Sequence, residues 1–185
     1  MIRNAFFISI ATTLSVAFSP TSVAAQASDA ARIASAIAAA PPSIAKNAMI
    51  MDWPDASGKV RTLRMGTNGW TCMPNNPKSR YVVNNAMCMD ANFGDFMTAM
   101  RARKQPALKA MGTAYMLTSD QWVSNTTPSD KAPRAGNEWH RVSAAIMLAY
   151  PQRSSLAGLP VRPGSNGPYV MWPNTPYAHV MLPLK

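Results

Sequence analysis

The sequence predicts an α+β fold: an antiparallel, strand-rich sheet with one main amphipathic helix, over residues 91–104, packed on it and a disulfide clamp. Three observations predict it. From Asn47 onward, short apolar stretches alternate with period two between turn residues. One segment has helical spacing, with Phe93, Phe96, Met97 and Met100 recurring at i, i+3, i+4 and i+7. The two cysteines, Cys72 and Cys88, stand between a strand signal and the start of that helix.

The N-terminus has the layout of a secretory signal peptide. Arg3 precedes an uncharged apolar run from Ala5 to Phe18, followed by Pro20 and small residues. Cleavage is expected after Ala25 or Ala27, which makes residues 1–27 the signal. The run is shorter than the ~20 residues a membrane span needs, and no later stretch is long and apolar enough, so no transmembrane segment is expected after cleavage. The mature chain, exported to the periplasm or secreted, divides into an alanine-rich helix or mobile leader at 28–46 and a single α+β domain at 47–185.

Removing Arg3 leaves 17 basic and 8 acidic residues, a net charge of +9. The charges are scattered, and the densest group (Arg101, Arg103, Lys104, Lys109) suits the last turn of a helix, where cations complement the dipole. With no aromatic residue interleaved and an exported address, nucleic-acid binding is set aside. An acidic envelope component or a protein partner fits the charge instead.

Taken in order, Ser28 to Ala40 reads as a helix capped by Ser28 or Asp29 and stopped by Pro41-Pro42. Its large apolar residues, Ile33 and Ile37, make a narrow stripe that buries little. Ala48 to Trp53 reads as a strand with Met49, Met51 and Trp53 on one face. Pro54 to Gly58 forms a turn, and Lys59 to Met65 a more exposed second strand. Gly66-Thr67-Asn68-Gly69 is another turn, and Gly69 to Met73 a third strand with Trp70 and Cys72 on one side. These three imply an antiparallel meander.

The main helix follows Cys88, capped by Asp90 or Asn92, with a basic last turn and Pro106 beyond it. Met111 to Leu117 is the next strand; Gly112, Ala114 and Met116 share a face small enough for a helix to lie close. Ser119 to Asn137, with Trp122, reads as a long polar loop of the kind that is usually functional. His140 to Tyr150 reads as one strand with Val142, Ala144, Ile146 and Leu148 on its core face, and Ser154 to Leu159 as a single helical turn. After the Pro163 to Pro168 loop, two similar phrases, Gly167 to Pro173 and Thr175 to Pro183, suggest a hairpin. In the second, the aliphatic face (Ala178, Val180, Leu182) reads as core, leaving Tyr177, His179 and Met181 on a mixed face.

Several stretches together carry a resemblance: Pro-Pro-Ser-Ile-Ala-Lys-Asn-Ala from Pro41, Met-Asp-Trp-Pro from Met51, Gly-Thr-Asn-Gly-Trp-Thr-Cys-Met-Pro from Gly66, Met-Cys-Met-Asp from Met87, Val-Met-Trp from Val170 and Thr-Pro-Tyr-Ala-His-Val-Met from Thr175. With these the chain resembles a family of uncharacterised exported bacterial proteins over most of its mature length. The resemblance implies paired cysteines and a β-rich ending, which supports a strand at His140 to Tyr150. It implies no activity, and function has to be read from the residues.

Two cysteines in an exported chain, with no third to compete, pair most simply as a structural disulfide, Cys72–Cys88. Methionine is abundant at 14 residues, with close pairs at Met49/Met51, Met87/Met89 and Met97/Met100. Thioethers suit Cu(I), but methionine also fills irregular cores, and core use is the stronger reading here. The histidines, His140 and His179, form no metal-type repeat, and neither a nucleophile elbow nor a phosphate loop occurs. Asp52, Asp90, Asp120 and Glu138 are the carboxylates from which a composite site could be assembled.

The expectation is therefore a non-catalytic binding or structural domain of the cell envelope, with no catalytic residue, cofactor or metal assigned. Trp122, Tyr177, His179 and Met181 are its candidate ligand-binding residues. The alternative is a small hydrolase or copper-handling protein centred on His179.

Overall fold

The computed structural model describes residues 20–76, 82–164 and 167–184; the apolar run Ala5 to Phe18 lies outside them. Helices α1 (Pro20–Ile37) and α2 (Pro42–Ala45) lead into strands β1 (Met49–Met51), β2 (Thr62–Arg64), β3 (Thr71–Met73), β4 (Val82–Asn84) and β5 (Met87–Met89). Helix α3 (Ala91–Arg101) follows, then β6 (Gly112–Met116), β7 (Asp120–Ser124), β8 (Trp139–Val142) and β9 (Ala145–Ala149). A 3-10 turn at Arg153–Leu156 precedes β10 (Tyr169–Met171) and β11 (His179–Pro183). Eight strands form one sheet in the order β10-β11-β9-β6-β5-β3-β1-β2, and β4-β7-β8 form a second.

Where α1 and α3 lie on opposite sides of the large sheet both of its faces are covered, which explains why β5 is apolar and buried along its whole length. On one face α1 packs Ala36 and the following Ala39 and Ala40 over Ile50, Cys72 and Cys88. The narrow stripe of α1 suffices because its alanines let the backbone approach: the Cys88 Sγ lies 3.5 Å from the Ala36 carbonyl oxygen. Charged pairs also hold α1. Arg32 meets the buried carboxylate of Asp52, and Arg61 grips Asp29 through two bonds of 2.7 Å. On the other face, α3 and the small sheet bury Met73, Met87, Met89, Met116, Met147, Met171 and Met181 around Phe93 and Phe96.

Asp90 fixes how α3 leaves the sheet. One oxygen accepts from Phe93 N, capping the helix, and the other accepts from Thr113 N on β6, each at 2.8 Å. Gly112 lets the helix start sit directly on β6, since a Cβ there would lie 2.5 Å from Phe93 N. The Cys72–Cys88 disulfide is formed. It joins residues directly opposite each other on β3 and β5, so it crosslinks two neighbouring strands, and β5 in turn delivers Asp90.

Four sequence expectations change. The meander over the first strands is absent: β1 lies between β2, antiparallel, and β3, parallel. The crossing is made at Gly66, where a Cβ would stand 2.0 Å from Met49 N. His140 to Tyr150 is two strands in different sheets. A bend at Ser143-Ala144 shifts the phase by one residue, so the buried set is Val142 followed by Ala145, Met147 and Ala149. The polar loop expected from Ser119 to Asn137 contains β7, which pairs with β8. Lastly, the His179 and Met181 face of β11 is buried in the main core, each residue 1% exposed, while Leu182 is half-exposed.

Candidate functional site

Between α3, the large sheet and the small sheet lies an apolar cavity of about 140 Å³. Six methionines line it: Met97 and Met100 from α3, Met87, Met116, Met147 and Met171 from the large sheet. Phe93, Phe96, Val123, Val142 and Trp172 complete the apolar wall, and Asn85, Gln121 and His179 are its polar members. Methionine suits a place where a helix and two sheets meet, because a flexible thioether fills irregular gaps without a fixed shape.

His179 enters from β11. Phe93, Phe96 and Trp172 surround its ring edge to face, with Trp172 closest at 5.0 Å between centroids. Its Nδ1 lies 2.9 Å from the Tyr177 carbonyl oxygen, so Nδ1 carries the proton and donates it. Nε2 therefore keeps a lone pair. Burial holds the pKa down at about 4, against a smaller upward pull from that same hydrogen bond. At neutral pH the ring is an uncharged acceptor in apolar surroundings.

Trp172 is held in place from several directions. Its backbone takes the left-handed conformation at φ 54°, which is uncommon for a bulky residue and costs on the order of 1–2 kcal/mol. Its indole Nε1 donates to the Ser124 carbonyl at 2.8 Å, locking the β10–β11 connection to the end of β7. Arg153 donates to the carbonyls of Pro173 and Thr175 in the same connection.

An open cleft of about 570 Å³ adjoins the cavity, with Met100 in the wall of both. Its lining includes Arg101, Arg103, Lys131 and Tyr177, with Thr127, Pro128 and Ser129 from the β7–β8 loop. Tyr177 stands edge-on to Phe96 at 6.5 Å, so the cleft and the cavity are one aromatic layer apart.

The four residues expected to bind ligand are separated. His179 lines the cavity, Tyr177 the cleft, and Met181 is buried in the core. Trp122 is 48% exposed and lies on the opposite side of β7 from Gln121 and Val123. The candidate carboxylates are dispersed too. Asp52 pairs with Arg32, Asp120 with Arg141 and Glu138 with Arg162, while Asp90 caps α3. His140 hydrogen-bonds through Nε2 to the Tyr169 hydroxyl at 2.9 Å, joining the two sheets. Burial lowers the His140 pKa, with Glu138 pulling the other way, and raises that of Tyr169.

Sequence reasoning missed Trp172, Arg103 and the sharing of six methionines by one void. Period-two alternation over His140 to Tyr150 puts Met147 on the side away from the core, because the phase change at Ser143-Ala144 is not visible in the sequence, and which faces meet depends on the second sheet. Among the described residues no group of three or more His, Cys, Asp or Glu side chains could hold a metal ion.

Fold and site together define an α+β protein with a sheet clad on both faces and a methionine-lined cavity beside a basic cleft. Comparison with known protein families, curated proteins and solved structures finds no match.

Proposed function

We propose that this protein is an exported binding domain of the bacterial cell envelope that holds a small, largely apolar ligand in the methionine cavity. The observation that carries this is the cavity itself: about 140 Å³, with a mainly apolar wall in which Asn85, Gln121 and the neutral imidazole of His179 are the polar members. An engineered apolar void of similar size takes up benzene, so a six-membered ring is the scale of group that fits. A ligand hydroxyl donating to His179 Nε2 would fix its orientation, the usual division of labour in small-molecule sites. Binding is favoured over catalysis because, among the described residues, His179 hydrogen-bonds to a backbone carbonyl rather than to a nucleophile or a carboxylate.

Export is supported by the signal-like N-terminus and by a disulfide, which suggests an oxidising compartment outside the cytoplasm. Among the described residues no helix is long and apolar enough to cross a membrane. The resemblance to exported bacterial proteins points the same way.

The test uses oxidised protein with 13C-labelled methionine methyl groups, titrated with 4-propylphenol and with propylbenzene. The methyl signals of Met87, Met116, Met147 and Met171 are expected to shift with both. The phenol should bind about fivefold or more tightly, a preference that His179→Phe removes. Unmoved signals at saturating phenol would sink the proposal.

One observation favours a second reading, copper handling: thioethers and an imidazole line the same void, and these ligands suit Cu(I). Tight capture of Cu(I) from a competing chelator, lost in His179→Phe, together with no response to the phenol, would transfer the assignment to copper.

A further inference from the structure

The cleft next to the cavity carries positive charge that the described residues leave uncompensated. Arg101, Arg103 and Lys131 all line it, and none forms an ion pair among the described residues. The carboxylate beside Lys131 in sequence, Asp130, is engaged elsewhere: it accepts from Ser124 Oγ at 2.7 Å and pairs with Arg134 at 2.8 Å. Arg101 is partly engaged, its guanidinium 5.5 Å over the Trp53 ring and 3.5 Å from the Met73 sulfur. Arg103 and Lys131 are the free cations.

Arg103 occupies an unexpected place. The end of α3 closes with Lys104 N donating to the Ala99 carbonyl and Arg103 N to the Met100 carbonyl, the pattern of a Schellman cap. The residue that turns left-handed in such a cap is most often glycine, because a side chain there is strained. Here it is Arg103, at φ 55°. A local backbone cost retained beside a cleft is a pointer to a role for the side chain, and a guanidinium in an acid-free cleft has an obvious one.

We infer that Arg103 and Lys131 bind the anionic head of a ligand whose ring or short alkyl body occupies the methionine cavity. The inference rests on the ligand-binding reading above and narrows the ligand class to a small amphiphilic anion, a carboxylate or phosphate on an apolar body. Met100 lies in the wall of both spaces, and as a flexible side chain it can swing to join them. Thr127 and Ser129 hydrogen-bond each other at 3.1 Å, which leaves one hydroxyl hydrogen of the pair for the same head group.

The experiment compares 4-hydroxyphenyl alkanoates of one to four linker methylenes with neutral 4-alkylphenols of matching length, by calorimetry on oxidised protein at low salt. The best acid is expected to bind about tenfold or more tightly than its neutral match, and to lose that advantage as salt rises. Lys131→Gln and Arg103→Gly should each weaken the acid severalfold and leave the phenol unchanged. Arg103→Gly should at the same time raise Tm by about 2–4 °C, because glycine relieves the cap. That opposite movement of stability and affinity separates a binding role from a structural one.

Equal affinity of acid and phenol for the unmodified protein overturns the inference and leaves the cavity reading standing. Failure of both series overturns the cavity reading as well. If inorganic phosphate displaces the acid as effectively as another molecule of the series, the cleft is an anion site uncoupled from the cavity, and the joint site is wrong.

Discussion

His179 ties the chemistry of the site to the stability of the fold. Its ring is sealed in the core with a pKa near 4, while an unfolded chain would titrate it near the ordinary value of about 6.5. Above pH 6.5 both states hold it neutral and it has no pH effect. Between about 6.5 and 4 the unfolded chain gains a proton that the folded chain refuses, so stability falls with pH and levels off below 4. The loss should be on the order of 3 kcal/mol. His140, whose pKa is also lowered by burial, adds in the same direction. Asp29, Asp120 and Asp130 are held below the usual carboxylate range by hydrogen bonds, chiefly from Arg61, Arg141 and Ser124. Their contribution is lost only at lower pH. Denaturant midpoints measured from pH 7.5 to 4 should therefore drop, and His179→Gln should flatten most of the drop. An unchanged profile in that variant would contradict a neutral, sealed ring. The sequence showed that His179 alternates with aliphatic residues, but not which set faces inward. Both faces of β11 are covered, and when both faces of a strand are buried the alternation that usually marks the core carries no sign.

At the level of elements, the parts that sequence made legible are those where one local signal decides the outcome. Helix α3 is one, because Asp90 supplies the cap and the i, i+3, i+4 stripe supplies the buried face. The closeness of α3 to Gly112 is another. The parts that stayed hidden depend on pairings distant in sequence. Nothing in Ser143-Ala144 announces a change of sheet, and the strand at Asp120–Ser124 becomes a strand only through β4 and β8. The disulfide was legible from cysteine count; its place was not, since pairing β3 to β5 requires their register. Because it links residues 16 apart, chain-entropy reasoning gives it ~3 kcal/mol. Replacing both cysteines by alanine should cost about 2–5 kcal/mol in urea unfolding. Peptide mapping without reductant should recover the Cys72–Cys88 crosslink from folded protein. Two free thiols there would remove the clamp.

Across the whole molecule, α1 covers the disulfide face of the sheet and also runs through the positions where the sequence predicts signal cleavage. Its described contacts survive cutting after Ala25 or Ala27. Asp29 with Arg61, Arg32 with Asp52, and Ala36 over Cys88 all lie beyond both sites. Cutting there also improves the helix electrostatically. In the longer helix no acidic residue occupies the first turn; after a cut behind Ala27, Ser28 or Asp29 becomes the cap, with a carboxylate where the dipole favours negative charge. Asp29 remains bonded to Arg61 and offsets the new α-amino group, which the dipole alone would disfavour. The expected product in envelope material is therefore a protein beginning at Gln26 or Ser28, oxidised and folded, identified by intact-mass spectrometry. A chain engineered to begin at Ser28 should match its stability, whereas one beginning at Pro41 should lose several kcal/mol, since Ile50, Cys72 and Cys88 would lose their cover. An uncut chain in the envelope would overturn the cleavage, and equal stability of the two truncations would place α1 outside the working fold and return residues 28–46 to the role of a leader.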